Sequence, residues 1–181
     1  PMGSRLTDIG ASSNEVPQHI VALSAYCIDA LEVTVEAYQV CVAAGRCLAT
    51  SRSARCNSTL GFVSHPVNCV DWAQAARYCE QSGNRLPTEA EWERAARGDD
   101  GRTYPWGNTA PEDRVCWYDY PTSGTCEVGS LPSGASPHGL QDMAGNVAEW
   151  VSDWFDAYST APMTDPQGPT GGTARVIRGG G

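Results

Sequence analysis

Residues 142–154 read DMAGNVAEWVSDW, a stretch that combines acids, small residues and two tryptophans. Its apolar positions follow neither the period of a helix nor the alternation of a strand. Calcium binds about six to eight hard oxygens, which irregular segments supply from carboxylates and backbone carbonyls. The stretch is therefore a candidate calcium loop through Asp142 and Glu149. The alternative is that these acids are solvated and flank a buried apolar set of Val147, Trp150 and Trp154.

The composition of the chain excludes several classes of partner. Its 181 residues are enough for one domain with a core. Twelve basic residues, all arginine, stand against 21 acidic ones, for a net charge of −9. Nucleic acids and anionic membranes are bound by clustered positive charge, so we expect neither as a partner. No apolar run approaches the roughly 20 residues that span a bilayer, so we expect no membrane insertion. We expect a monomer.

The cysteines indicate an oxidising compartment. There are eight of them, an even number, which favours disulfides and an extracytoplasmic location, whether secreted, periplasmic or on the cell surface. Zinc binding is less favoured, because the sequence has no Cys-x2-Cys pair. We predict a Cys116–Cys126 disulfide, because the intervening WYDYPTSGT is rich in turn residues and its ends can meet. The pairing of the other six cysteines stays open.

Capping residues and apolar periodicity predict three short helices, over 34–45, 71–83 and 88–98. Thr34, Asp71 and Thr88 are the expected N-caps, and each segment ends at a glycine. The expected buried faces are Ala37, Val40, Cys41 and Ala44 in the first helix, Trp72, Ala75, Ala76 and Cys79 in the second, and Trp92, Ala95 and Ala96 in the third. Strands are expected within HIVALSAYCI (19–28) and ARVIRG (174–179), with mostly loop between Gly98 and Arg175.

The third predicted helix carries three acids that resemble an acid/base cluster, namely Glu89, Glu91 and Glu93. Acids in the first turn interact favourably with the positive end of the helix dipole, and Glu91 stands at the capping-box position. We therefore interpret these glutamates as structural residues.

Six segments then occur in order: EVTVEAY at 32–38, HPVNCVDWAQAARYC at 65–79, RLPTEAEWERAARG at 85–98, YPWGN at 104–108, GLQDMAGNVAEWVSDW at 139–154 and RVIRGG at 175–180. This series resembles the formylglycine-generating-enzyme, or sulfatase-modifying-factor, domain family. The resemblance implies an α+β fold of the C-type-lectin-like kind, with a small antiparallel sheet, few short helices and much irregular loop. It implies one domain over 1–181 that is incomplete at its C-terminal end.

The resemblance also implies an activity. The family's type members oxidise a cysteine of sulfatases to formylglycine, using oxygen and a copper ion held by two cysteines. Those cysteines follow an RGGS-like motif by a few residues, whereas this chain ends at Gly181. No residue of the chain therefore receives a catalytic role. Copper is expected only if a segment after Gly181 supplies two cysteines, and the protein would then be an oxidoreductase acting on the sulfur group of a protein or peptide substrate.

Other functions remain open, because one fold hosts many activities. A non-catalytic, calcium-stabilised, lectin-like binding or interaction module is the main alternative, and an accessory domain of a larger secreted or surface protein is a narrower one. Relatives also serve in ergothioneine biosynthesis, but they use a histidine-rich iron site on an additional helical domain that this chain does not supply.

For calcium, the resemblance assigns four ligands to the opening stretch: side-chain oxygens of Asp142 and Glu149, and backbone carbonyls of Gly145 and Val147. The type enzymes commonly have Asn at the first of these positions, and Asp142 keeps the oxygen and adds charge. A second calcium site of the family lies in the loop after YPWGN. Val115 occupies the place of its expected asparagine, so the sequence predicts no ligands there.

Overall fold

The computed structural model describes residues 1–8, 13–117 and 124–180. Its elements, in chain order, are β1 (Val21–Ala22), α1 (Val35–Ala43), α2 (Asn57–Leu60), α3 (Trp72–Gln81), α4 (Glu89–Arg97), β2 (Gly145–Trp154), β3 (Met163–Thr164) and β4 (Arg175–Gly180). Short 3-10 turns occur at Ser13–Glu15 and Pro132–Gly134. Most of the predicted loop between Cys116 and Cys126, residues 118–123, lies outside the described residues, as does Gly181.

The strands form two small sheets within the described part of the chain. β2 pairs with β4 in antiparallel fashion, and β1 pairs with β3 in parallel fashion. The helices are short and lie between long irregular segments. This arrangement confirms the predicted α+β class, with a small sheet, few helices and much loop.

The three predicted helices form where their caps predict them. The Thr34 side chain accepts a hydrogen bond from the Ala37 amide at 3.1 Å and begins α1. Asp71 and Thr88 each form a complete capping box with the third residue of their helix, at the starts of α3 and α4. Among residues 1–8, 13–117 and 124–180, no helix is long and apolar enough to cross a membrane.

The predicted buried faces hold for α4 but not for α1. Trp92, Ala95 and Ala96 of α4 are buried as expected, whereas Val40 of α1 is 61% exposed. Of the face predicted for α1 only Cys41 is buried, and Val35 and Tyr38 are buried in place of the others. Tyr38 decides the orientation, because its ring stacks on Tyr78 of α3 and its hydroxyl donates to the Leu48 carbonyl. The large aromatic side chain therefore outweighs the small alanines on the predicted face.

The strand predictions hold in part. β4 forms over Arg175–Gly180 as expected, but only Val21–Ala22 of the N-terminal segment is a strand. The predicted loop between Gly98 and Arg175 also contains β2, a strand of 10 residues. Its burial does not alternate cleanly, since the pairing register with β4 shifts twice along its length. The sequence pattern of a half-buried strand is therefore absent from it.

Val151 of β2 lies at the centre of the main core and is 0% exposed. It packs with a cluster contributed by α4, β4 and the segment before β2: Trp92, Ala95, Ala96, Leu140, Met143 and Val176. The sequence predicted Val147, Trp150 and Trp154 as the apolar anchor of this region, but these three are only half-buried. Val151 takes that role.

The tryptophans around β2 instead combine apolar contact with polar contacts. The Arg175 guanidinium lies between the rings of Trp72 and Trp154, at 3.6 and 3.7 Å from the centroids. The Trp150 indole N–H donates to the Val70 carbonyl at 3.1 Å. Amphipathic aromatic rings of this kind join β2 and β4 to α3.

Three disulfides form: Cys41–Cys47, Cys56–Cys69 and Cys116–Cys126. The last of these confirms the prediction from the turn-rich loop. Cys27 and Cys79 are free thiols, so the expectation of disulfides holds for six of the eight cysteines.

Candidate calcium site and neighbouring cleft

The segment from Asp142 to Glu149 bends sharply where β2 begins. Asp142, Gly145 and Asn146 all have positive φ, at 60°, 82° and 56°. A Cβ atom at residue 145 would lie 2.3 Å from a Val115 methyl group and 2.4 Å from the Cys116 carbonyl oxygen. Only glycine fits this position, so the backbone passes close to the Cys116 segment.

Pairing between β2 and β4 is interrupted at the same place. Gly145 pairs with Gly180 and Ala148 pairs with Gly179, so two residues of β2 lie between partners that are adjacent on β4. Such a bulge leaves residues outside the regular ladder. It is here that the sequence predicts carbonyl ligands, at Gly145 and Val147.

Asn146 fastens this bulge to two other parts of the chain. Its amide donates to the Cys116 carbonyl at 2.6 Å, and its side-chain oxygen accepts from the Cys126 amide at 3.0 Å. Its side-chain nitrogen donates to a Glu32 carboxylate oxygen at 2.6 Å. The bulge is thus tied to the Cys116–Cys126 disulfide and to the segment before α1.

Glu32 is a site residue that the sequence analysis placed in the EVTVEAY motif without a role. Its second carboxylate oxygen accepts from the Val147 amide at 3.3 Å, across 115 residues of sequence. The available signal was a lone acid between Leu31 and Val33, just before a helix cap, where an apolar environment is expected. That signal does not identify the distant partner.

The three carboxyl groups here have raised pKa values. Burial raises the pKa of Glu32 to about 9, with further increases from the charges of Glu149 and Asp142 that its two hydrogen bonds only partly offset. Burial also raises the pKa of Glu149 to about 7, against a hydrogen bond from the Trp92 indole. For Asp142, burial raises the pKa while the Gly129 amide opposes the increase. Acids are hard to ionise here without a compensating cation.

Among the described residues, no positively charged side chain forms an ion pair with these three acids. Each ion pair found between described residues lies elsewhere, and none includes Glu32, Asp142 or Glu149. As the side chains stand, no three His, Cys, Asp or Glu groups in the described ranges converge on one point. Asp142 is turned to the Gly129 amide at 2.6 Å, and one Glu149 oxygen to Trp92 at 3.1 Å. Binding an ion therefore requires these side chains to rotate.

The donor set nevertheless fits calcium. Glu32, Glu149 and Gln141 line one cavity of about 910 Å³. The side-chain oxygen of Gln141 is buried and has no hydrogen-bond partner in the described part of the chain. Carboxylate, amide and carbonyl oxygens are the hard ligands that calcium takes. Of the residues assigned by sequence, Val147 and Glu149 line this cavity with Glu32, and Asp142 is near enough for its charge to raise the pKa of both glutamates, while Gly145 lies in the adjoining bulge.

Val115, at the place of the family's second calcium site, packs in the interior of the domain. Its side chain is buried, at 5% exposure, and packs against the backbone at Gly145. The neighbouring Cys116–Cys126 disulfide closes the same loop covalently. The apolar contact explains Val115 without a ligand role.

A separate cleft of about 1150 Å³ lies between α4, β4 and the YPWGN loop. On its wall, Glu93 accepts from the Gly3 amide at 2.7 Å and from the Arg178 guanidinium at 2.6 Å. Tyr158 donates its hydroxyl to Glu89 at 2.8 Å. Thus Glu89 and Glu93 do more than favour the helix start: they form a buried polar network around Arg178. Glu91 alone completes the predicted capping box.

Copper has no described site in this cleft. Six cysteines are in disulfides, and the free Cys27 and Cys79 line the cavity of Glu32 instead. Copper(I) selects thiolate sulfur, and burial raises the pKa of the Cys79 thiol, which disfavours its thiolate. We therefore assign no copper ligand among the described residues.

The fold and the acidic loop together define a C-type-lectin-like domain of the formylglycine-generating type. The family model of the sulfatase-modifying factor enzyme 1-like domain matches residues 1–181, the whole chain. The chain belongs to this family.

Individual relatives differ in function. The chain is 46% identical over 134 residues to a formylglycine-generating enzyme of Streptomyces coelicolor, covering 66% of this chain and 43% of that protein. It is 39% identical over 187 residues to the serine/threonine-protein kinase pkn1 of Chlamydia pneumoniae, covering 92% of this chain and 29% of that protein. The chain thus spans less than half the length of these curated relatives. Among solved structures, Treponema denticola variable protein 1 superposes with a TM-score of 0.74 at 27% identity, covering 99% of this chain and 79% of that one.

Proposed function

We propose that this chain is the calcium-stabilised, substrate-binding part of a formylglycine-generating-type oxidase that acts on a cysteine of a protein or peptide. The observation that carries the proposal is the cleft beside β4. Within the described residues, β4 pairs with β2 on one side only, and its residues line the cleft. An extended peptide in this cleft would form main-chain hydrogen bonds with the unpaired edge of β4. The three disulfides favour an extracytoplasmic location.

Calcium would have a structural role in this proposal. Asp142 and Glu149 would supply side-chain oxygens, and Gly145 and Val147 would supply carbonyls. The double positive charge of the ion would offset the repulsion between the carboxylates. Glu149 of β2 lies opposite Arg178 of β4 in the strand register. An ordered calcium loop would therefore also fix β4, the strand that lines the cleft.

Trp92 provides a second connection between the two regions. Its indole N–H donates to Glu149, and its ring lies 5.4 Å from the Arg178 guanidinium carbon. One side chain of α4 therefore contacts both the acidic loop and the cleft. Loss of calcium would be expected to loosen the cleft through this residue.

The proposed reaction needs dioxygen, a thiol reductant and copper in addition to the described residues. Oxidising a cysteine Cβ to an aldehyde releases the sulfur as hydrogen sulfide, and reducing dioxygen to one aldehyde oxygen and one water takes two further electrons from a thiol reductant. Copper, when bound by two thiolates, would supply the oxygen chemistry. The residues described here would bind and orient the peptide and exclude water.

The experiment incubates the full-length protein with copper, oxygen, a thiol reductant and a peptide carrying a Cys-x-Pro-x-Arg core. We expect loss of the peptide thiol and gain of an aldehyde, detected by mass spectrometry and by trapping with a hydrazide. A peptide with alanine in place of the cysteine is the matched control. An unchanged cysteine peptide under conditions where a known formylglycine-generating enzyme converts it would reject the oxidase.

A non-catalytic binding module is the second candidate. The relatives of this chain include a formylglycine-generating enzyme and a serine/threonine-protein kinase, so membership of the family is compatible with a domain that only binds a partner. Two cysteines in the coding sequence after the RVIRGG segment would favour the oxidase. Aromatic and polar residues in their place would favour the binding module.

A further inference from the structure

Glu32 contacts the acidic loop from a distant part of the sequence. It lies just before α1, and its two carboxylate oxygens accept from the Asn146 side chain at 2.6 Å and from the Val147 amide at 3.3 Å. Both donors belong to the bulge that carries the Gly145 and Val147 carbonyls. The carboxylate therefore bridges a side chain and a backbone group of consecutive residues.

We propose that Glu32 is the positioning residue of the calcium loop, holding Asn146 and Val147 so that the carbonyls on either side of Asn146 are directed at one ion. This inference rests on the calcium binding proposed above. It adds to the four assigned ligands a residue whose role is to orient them.

Cys116 and Glu32 orient two successive peptide groups of the loop, because each peptide bond is planar. The Asn146 amide is bound by the Cys116 carbonyl at 2.6 Å. A trans peptide directs its C=O opposite to its N–H, so this bond sets the direction of the Gly145 carbonyl. Glu32 accepts from the Val147 amide and so fixes the next peptide plane, whose carbonyl is that of Asn146, and with it the position of Val147 from which the Val147 carbonyl projects. Together the two contacts define the backbone on both sides of Asn146, a residue with positive φ.

Glu32 is better suited to positioning than to coordination. Each of its oxygens already accepts a hydrogen bond from the loop. A Glu149 oxygen and an Asp142 oxygen, by contrast, accept no hydrogen bond from the described residues and can turn to an ion. Groups that orient metal ligands typically affect metal affinity by about 10- to 100-fold when they are replaced.

The test compares Glu32→Gln, which keeps the length and removes the charge, with Glu32→Asp, which keeps the charge but shortens the side chain. Glu36→Gln removes the same charge from an exposed position of α1 and is the matched control. Calcium affinity is measured by titration calorimetry on chain 1–181. Hydrogen exchange of the Val147 amide is measured by NMR on the calcium-free chain.

We expect both Glu32 variants to bind calcium at least about 10-fold more weakly, while Glu36→Gln binds as the unaltered chain does. We also expect the Val147 amide to exchange faster in both Glu32 variants. Full affinity in Glu32→Asp with weak binding in Glu32→Gln would show that only the charge matters and would overturn the positioning role. If the unaltered chain binds no calcium, the calcium proposal fails separately. In that case, a Val147 amide that exchanges at the same rate in the Glu32 variants and in the unaltered chain would overturn the positioning role of Glu32.

Discussion

We expect calcium to raise the melting temperature of this chain and chelation to reverse the increase, because an ion among Asp142, Glu149 and the bulge carbonyls would bind only the folded state. A ligand that binds only the folded state at 100 times its Kd stabilises that state by about 2.7 kcal/mol. For a domain of this size, each kcal/mol shifts the melting temperature by about 2–4 °C. Scanning fluorimetry with calcium or with a chelator should therefore show a difference of about 5–10 °C.

Glu149→Ala should abolish that difference, and Glu149→Gln should do the same while keeping an acceptor for the Trp92 indole. Asp156→Asn, which neutralises an exposed acid just after β2, should leave the calcium response intact. An equal melting temperature with calcium and with chelator in the unaltered chain would count against the ion.

The calcium-free chain should also respond to pH. The folded pKa of Glu149 is about 7, above its ordinary value of 4.5, so the folded chain binds more protons than the unfolded one between these values. Stability therefore falls as pH rises from about 4.5 through about 7. Glu149→Gln removes this loss, so in chelator at a pH about one unit above that folded pKa it should melt no lower than the unaltered chain.

The second large effect is expected at Glu93. Its side chain is 4% exposed and binds the Gly3 amide, Arg97 and Arg178. Glu93→Ala removes the nearest carboxylate from the buried Arg178 and leaves Glu89 at 3.7 Å, with a weaker contribution from Glu15. Removing one partner of a buried pair costs about 3–5 kcal/mol, which corresponds to about 6–20 °C here. Urea unfolding and thermal melts measure the loss.

Two further variants make this result interpretable. Glu93→Gln keeps an oxygen acceptor and should lie between the alanine variant and the unaltered chain. Glu80→Ala, at an exposed position of α3, should change stability by less than about 0.5 kcal/mol. A Glu93→Ala chain as stable as Glu80→Ala would show that the network around Arg178 does not stabilise the fold.

Local features of the fold could be predicted from sequence because their causes are local. Thr34, Asp71 and Thr88 begin helices through contacts within three residues, and a turn-rich loop brings Cys116 to Cys126. The Asp142–Glu149 stretch is predicted as a calcium loop for a related reason, since its oxygen-bearing residues are close in sequence.

Features that depend on distant partners could not be predicted in this way. β2 lacks a strand pattern because its bulge follows from pairing with β4 and from the close approach of Cys116. Glu32 meets Asn146 across 114 residues, and Glu93 meets the Gly3 amide across 90. The sequence shows Glu32 just before a helix and Glu93 in the middle of one, and only the fold shows what each carboxylate binds.

The central claim is that this family domain binds calcium at its acidic loop, and calorimetric titration of chain 1–181 with calcium tests it most directly. We predict one ion per chain, with release of about one to two protons at about pH 7, because the raised pKa values leave Glu32 almost fully protonated and Glu149 about half protonated until the ion binds. Comparing two buffers of different ionisation enthalpy measures the proton. No calcium uptake at millimolar concentration, or uptake that Glu149→Gln leaves unchanged, would contradict the account.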